Sequence, residues 1–294
     1  MDGHVVCVGA ATLDTVLAVP DHPPRDGRVV ASELTVAGGG PAATAAVALA
    51  RLGVTASLVA AVGDDEAGAA IRAGLEEEGV GTSELVTVRG ARSAQSCVLV
   101  DRSSRGRAIA AFPGTLPPLE LTPGARELCR RAAWVHADHV GFAAVRPLVG
   151  GARVSVDGGN PIAELELDGL SLYAPTEAAL RALFPALDLE QALRAAATAG
   201  AELVVATRGG EGSVAATRSG ELVAAPPLAV DAVSTLGAGD VFHGALLAQL
   251  VRGARLREAL TAANAAAALS CRALDGRSAI PTADELGAAL AGVR

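Results

Sequence analysis

The chain contains no lysine: all 24 of its basic residues are arginine. That absence excludes a P-loop lysine on nucleotide phosphates, a protein-kinase strand lysine and a Schiff-base lysine. If such a chain handles phosphate, it must do so with backbone amides, metal and arginine. Aromatic residues are nearly as scarce, six in 294 or 2%, and no basic stripe runs along the sequence. A nucleic-acid binder normally carries a basic surface and often stacking rings. With 24 basic against 32 acidic residues and a formal net charge of −8, no nucleic-acid partner is expected. No apolar run approaches the roughly 20 uncharged residues of a membrane span. The start, Met1-Asp2-Gly3-His4-Val5-Val6-Cys7-Val8-Gly9, lacks the basic head and long apolar stretch of a signal peptide. The four cysteines (Cys7, Cys97, Cys129, Cys271) lie far apart with no Cys-x-x-Cys pair. They read as small core residues, and the expected compartment is a reduced cytoplasm.

What is present is core-forming material. Hydrophobic residues make up 51% of the chain and charged residues 19%, enough for one large α/β domain or a main domain with a small appendage. Short aliphatic runs at Val5–Gly9, Ala56–Val62, Trp134–Ala137, Arg153–Asp157 and Leu203–Thr207 read as buried strands. Between them Pro41–Leu52, Glu66–Gly79, Ala178–Phe184, Leu189–Ala199 and Val241–Arg252 read as helices. Continuous apolar strands alternating with helices predict a doubly wound, mostly parallel sheet covered on both faces. Two stretches break the rhythm. Residues 15–37 carry Pro20, Pro23, Pro24 and Gly27, and residues 93–113 read as Gln95–Val100, a Ser103–Gly106 turn and Arg107–Phe112. They are expected to form a small β lid over a main domain of residues 1–14, 38–92 and 114–294; ordinary surface hairpins are the alternative.

Two segments place glycines at a strand end ahead of a helix. Gly38-Gly39-Gly40-Pro41 is the first, where glycine lets backbone approach a ligand and Pro41 suits a first helical turn. By itself it also fits a tight turn. The second, Ser234-Thr235-Leu236-Gly237-Ala238-Gly239-Asp240, exposes successive amides at a helix start, a site for anionic oxygens. Asp240 fits a helix cap as well as it fits a base for an incoming hydroxyl. The residues alone leave both readings open.

Gly39–Gly53 and Leu236–Ala245 resemble the two signature segments of the ribokinase, or PfkB, carbohydrate-kinase family. The likeness extends to Val62-Gly63-Asp64-Asp65 and Gly276–Pro281, over nearly the whole chain. It implies a ribokinase-like fold with a β-sheet lid and ATP-dependent phosphorylation of a sugar-like hydroxyl. It also implies an anion hole at Gly237, Ala238, Gly239 and Asp240, with Asp240 as base. On the acceptor side the resemblance points to Asp14, Gly39, Gly40 and Thr44, the last standing where relatives often have asparagine. On the nucleotide side it points to Thr207, Gly209 and Gly212, to Asn264 near the adenine, and to Thr176 and Gly239. Magnesium is expected with the nucleotide, and Glu177 is the nearby acid, but Thr176 and Ala179 replace the usual asparagine and second acid. Ser234 and Ala279, in place of an aspartate and a hydroxyl, argue against potassium activation. Pairing of exposed lid edges implies a homodimer.

Within the family, Gly38–Gly53, Gly237–Leu246 and Gln95-Ser96 look most like sulfofructose kinases. The corresponding pocket positions here are Arg28, Ala111 and His139, so the expected acceptor is a ketose-like sugar or related polyol, neutral or anionic. A nucleoside kinase of the same family and a catalytically idle sugar-binding homologue are the competing readings. A dinucleotide oxidoreductase is disfavoured, because no Gly-x-Gly-x-x-Gly opens the first βα turn.

Overall fold

A computed structural model describes residues 3–103 and 106–292. Met1 and Asp2 of the leading segment, and Ser104 and Arg105 of the Ser103–Gly106 turn, lie outside them. The chain opens with β1 (Val5–Val8), then forms β2 (Thr12–Val19), β3 (Glu33–Gly39), α1 (Pro41–Arg51) and β4 (Ala56–Gly63). Next come α2 (Glu66–Glu77), β5 (Leu85–Val88), β6 (Gln95–Asp101), β7 (Arg107–Phe112) and α3 (Pro123–Arg131). The middle holds β8 (Trp134–Ala137), a short α4 (Phe142–Val145), β9 (Val154–Gly158), β10 (Leu172–Pro175), α5 (Glu177–Leu183) and α6 (Leu189–Thr198). Last are β11 (Leu203–Thr207), β12 (Ser213–Thr217), β13 (Leu222–Ala225), α7 (Ala238–Val251), α8 (Leu256–Ser270) and α9 (Ala283–Ala291).

Nine strands form one sheet in the order β13-β12-β11-β10-β9-β8-β1-β4-β5. Pairings from β5 through to β11 are parallel, whereas β11–β12 and β12–β13 are antiparallel. The strands alternate between two cores. In β1, Val5 and Cys7 face the layer that holds α1, α2, α7 and α8, and Val6 and Val8 face the layer of α3, α4 and α6. Burial on both faces is why these strands are apolar throughout. The antiparallel pair β12–β13, and α3, α8 and α9, are elements the sequence reading did not include.

The chain turns to opposite sides of β1 to build β4 and β8, so the strand order reverses there, and ligands of open α/β sheets bind at such a reversal. Alanine carries the packing above it: in α1 Ala42, Ala43, Ala45, Ala46 and Ala48 are all buried. Gly244 of α7 lets the two helices approach further, since a Cβ there would stand 2.5 Å from the Ala45 carbonyl oxygen.

A separate four-stranded sheet, β3-β2-β6-β7, stands over one edge. Its first strand begins earlier than residue 15: β2 starts at Thr12, so Asp14 is a residue of the small sheet, paired with Ala37 and Ser96. Asp65 caps α2 and also accepts from the Ser93 amide at 2.9 Å, tying that helix to the segment entering β6. Among the described residues no helix is long and apolar enough to cross a membrane.

Candidate active site

A cavity of about 760 Å³ opens between the two sheets at the carboxyl ends of β1, β8, β9, β10 and β11. Asp138 organises its floor. The residue follows β8 directly, and its carboxylate accepts from the Ala10 amide at 2.8 Å and the Ala42 amide at 3.1 Å. It also accepts from Val140 at 2.8 Å and Gly141 at 3.0 Å. One buried acid therefore joins the end of β1, the start of α1 and its own turn. Burial pushes its carboxyl up, against the pull of those amides.

The three glycines before α1 have three separate reasons. A Cβ on Gly38 would stand 2.1 Å from Nη1 of Arg277, and one on Gly39 would stand 2.0 Å from Oδ2 of Asp14. Gly40, with φ of 90°, is the N-cap of α1 and lies against the Ala10 carbonyl. Asp14 is buried, lines the cavity and accepts from the Thr12 hydroxyl at 2.8 Å. Burial raises its pKa, opposed by hydrogen bonds from Thr12 and Ser96 and by the Arg277 charge.

Across the cavity the N-cap of α7 is Gly237, left-handed at φ of 72°, with no side chain closing the helix start. Asp240 is thus in the first turn rather than at the cap, and the capping reading is set aside. Burial, then Asp157, push the Asp240 carboxyl up to about 7, while His243 and Arg277 pull it down. That is the range in which a carboxylate works as a general base near neutrality. His243, one turn on, lies 3.1 Å from Asp157 through Nδ1 and donates from Nε2 to the Ala174 carbonyl at 3.1 Å. Nδ1 approaches the Asp157 carboxylate as an ion pair without hydrogen-bond geometry, and this nearby negative charge favours the protonated ring. Burial, the largest single influence, lowers its pKa, but Asp157, Asp240 and the Ala174 carbonyl together raise it. Asp157 in turn is held at about 2: burial pushes it up most, and His243, His136 and the Gly159 amide together outweigh burial. Beneath them His136, pushed down to about 3 by burial, is neutral.

Of the residues singled out from sequence, Asp14, Gly39, Gly40, Thr44, Gln95, His139, Thr176, Thr207, Gly237, Gly239 and Asp240 line this one cavity. Others do not. Arg28 is exposed in the irregular segment between β2 and β3 and is not among the residues lining the cavity. Ala238 opens α7 behind the turn. Gly209 and Gly212 shape the turn after β11, at φ of 54° and 86°. Asn264 is buried in α8 and donates to the carbonyls of Ala225 and Pro226, both at 3.0 Å, which ties it to the end of β13. Glu177 accepts from Arg208 at 2.9 Å and Arg181 at 2.8 Å, and these arginines, Arg208 first, hold its pKa low. Its carboxylate is committed to those two cations, and no acid or histidine cluster suited to a metal occurs among the described residues.

Sequence reasoning missed Asp138, Asp157, His243 and Arg277 as site residues, although Asp157, His243 and Arg277 lay inside segments it had singled out. It also missed Arg107, which reaches from β7 to the Thr235 hydroxyl at 2.6 Å, beside the Gly237–Asp240 turn.

The model of the pfkB family of carbohydrate kinases matches residues 2–140 and 162–283. The chain belongs to that family. This pfkB kinase is 31% identical over 303 residues to the ATP-dependent ribose-1-phosphate kinase of Halopiger xanaduensis, covering 98% of both chains. It is 26% identical to the ribokinase of Bacillus subtilis, over 96% of this chain and 98% of that one. The solved ribokinase of Thermotoga maritima superposes with a TM-score of 0.87 at 25% identity, over 99% of this chain and 100% of the other. The pfkB kinase therefore has the ribokinase-like fold and is a phosphotransferase of sugars or nucleosides.

Proposed function

We propose that the protein transfers the terminal phosphoryl group of ATP to a hydroxyl of a ketose-like sugar or related polyol, neutral or anionic. One observation carries the reading: Asp240, pushed to about 7, shares a cavity with Asp14, and beside it stands a helix start whose cap is glycine and whose amides face the same space. Asp14, Gly39, Gly40, Thr44, Gln95 and His139 bind the acceptor. Thr176, Thr207 and Gly239 border the nucleotide phosphates, with Gly209, Gly212 and Asn264 shaping the wall beyond. Asp240 takes the proton of the attacking hydroxyl as the Gly237–Asp240 amides stabilise charge on the group in transfer.

Magnesium bound to the nucleotide would neutralise charge on its phosphates. Among the described residues no ready-made acid cluster awaits it, and Glu177 contributes by anchoring Arg208. In this reading residues 15–37 and 93–113 act as the lid. Leu34 and Val36, 61% and 55% exposed on edge strand β3, support lid-to-lid pairing into a homodimer. A monomer by sedimentation refutes that part. The four cysteines are all free thiols, in keeping with the cytoplasm.

The test is ADP release with Mg-ATP against ketoses, aldoses, sulfonated and phosphorylated sugars, and nucleosides. Turnover concentrated on sugars or polyols supports the reading. Turnover on nucleosides alone replaces it, although the one lid aromatic, Phe112, already has Arg92 over its ring at 4.9 Å. Sugar binding with no turnover on any acceptor sinks the kinase activity.

A further inference from the structure

Behind the acceptor wall lies a charged side chain that the proposed chemistry leaves without a role. Arg277, in the loop between α8 and α9, is only 7% exposed. Its Nε donates to the Thr44 hydroxyl oxygen at 3.2 Å and its Nη2 to the Gly39 carbonyl at 2.7 Å. Both partners are neutral. A buried guanidinium is costly unless its charge is balanced and its donors are used. Asp14 and Asp240, two of the carboxylates lining the cavity, are the foremost charges in that balance, with Glu78 and Asp275 adding to it. Room for the group is made by Gly38, where any side chain would meet Nη1 at 2.1 Å and Cζ at 2.8 Å. The first glycine of the run thus serves the arginine rather than a ligand.

This contact has a consequence for Thr44. A hydroxyl has one hydrogen to give and two lone pairs, and an arginine can only donate. The Thr44 oxygen therefore accepts from Arg277 and keeps its hydrogen for another partner. Thr44 is a cavity-lining residue of α1, and Asp14 lines the same cavity as an acceptor. The two present a donor and an acceptor to whatever lies between them.

We propose that Arg277 is a positioning residue of the acceptor site. It fixes the Gly39 carbonyl and aims the Thr44 hydroxyl outward as a donor, so that the site selects a polyol with one hydroxyl giving to Asp14 and another oxygen receiving from Thr44. This role rests on the reading of the cavity as the acceptor site of a kinase. It predicts that ligands lacking either oxygen, such as the corresponding deoxy sugars, bind more weakly.

Steady-state kinetics on Thr44→Val, Arg277→Lys, Arg277→Met and the Thr44→Val/Arg277→Met double variant test it, using the best acceptor of the panel. Thr44→Val, nearly equal in volume, should raise the acceptor KM about tenfold, the value of one lost hydrogen bond, with the ATP KM unchanged. Arg277→Met should produce a similar rise, the double variant little more, and Arg277→Lys a partial recovery, since lysine keeps the charge but not the two-pronged grip. An unchanged acceptor KM in Thr44→Val or in folded Arg277→Met overturns the proposal, as do effects that simply multiply in the double variant. If Arg277→Met does not fold, Thr44→Val and Arg277→Lys decide. A wild-type enzyme that phosphorylates no acceptor refutes the kinase reading instead, and calorimetric binding of the polyol to wild type and Thr44→Val then judges Arg277 separately.

Discussion

Replacing Asp240 by asparagine separates the cost of the carboxylate from its use. Burial, followed by the Asp157 charge, moves this group from 3.8 to about 7. A carboxyl whose folded pKa lies above its unfolded value costs stability in full above the folded pKa, and nothing below the unfolded one. Roughly three units at about 1.36 kcal/mol each set a ceiling of about 4 kcal/mol. Asp240 is half-buried and opens on the cavity, so solvent screening roughly halves that ceiling, to about 2 kcal/mol. With an unfolding entropy of about 2.1 cal/mol/K per residue, the gain amounts to about 3 °C in a chain of this length. Without ligands, Asp240→Asn is expected to melt about 3 °C above wild type at pH 8, the gap shrinking by more than half at pH 5. Its ADP release with acceptor should fall by about 10²–10⁴, the usual contribution of a general base. Calorimetric melts at both pH values, paired with the ADP assay, check the two halves. A gap of the same size at pH 5 and pH 8, or a variant less stable at both, refutes the raised carboxyl. Full turnover in the variant refutes the base.

Three further outcomes follow from the geometry. Gly39→Ala pushes a methyl group to 2.0 Å from the Asp14 carboxylate and 2.6 Å from the Thr12 hydroxyl; the acceptor KM should rise about tenfold or more while the ATP KM holds, and an unchanged acceptor KM contradicts the close fit. Glu177→Gln releases Arg208 from its anchor, and titrations of ATP and magnesium should show a raised ATP KM with the same magnesium dependence; a selective loss of magnesium affinity would make Glu177 a metal ligand after all. Gly244→Ala places a methyl 2.5 Å from the Ala45 carbonyl and 2.8 Å from the Ala48 side chain. Overpacking of about 1–3 kcal/mol should outweigh the helix-propensity gain of about 1 kcal/mol, and a more stable variant in urea denaturation would disprove it.

The parallel core and the small sheet were legible because both depend on local patterns. Continuous apolar runs such as Val5–Val8 and Val204–Ala206 can be buried only between two layers, and the Gln95–Phe112 pair of strands shows itself by a polar turn. The Gly237–Asp240 turn was legible for the same reason: its glycines and acid are adjacent in sequence. The strands β12 and β13 escaped because alanine and threonine, in Ser213–Thr217, give no sharp periodicity. Asp138, Arg277 and the Asp157–His243 pair escaped for another reason. Arg277 meets Gly39 across 238 residues and Asp138 meets Ala42 across 96, so each partnership exists only once the sheet order is known. A signal was present for Asp138, an acid directly following the short strand Trp134–Ala137, at the end where open sheets bind ligands. None of comparable clarity marked Arg277, apart from its place beside Gly276.

Asp14 belongs to β2 of the small sheet, whereas Asp240 belongs to α7 of the large one. On the proposed reading the acceptor meets one acid from each of these two parts at once, and a molecule bearing several oxygens is what bridges them. A single water molecule, the ever-present rival nucleophile, cannot. On the same reading the division of the two acids between sheets disfavours water as the acceptor, and ATP hydrolysis without a sugar is expected to run well below turnover with one, a comparison the ADP assay makes.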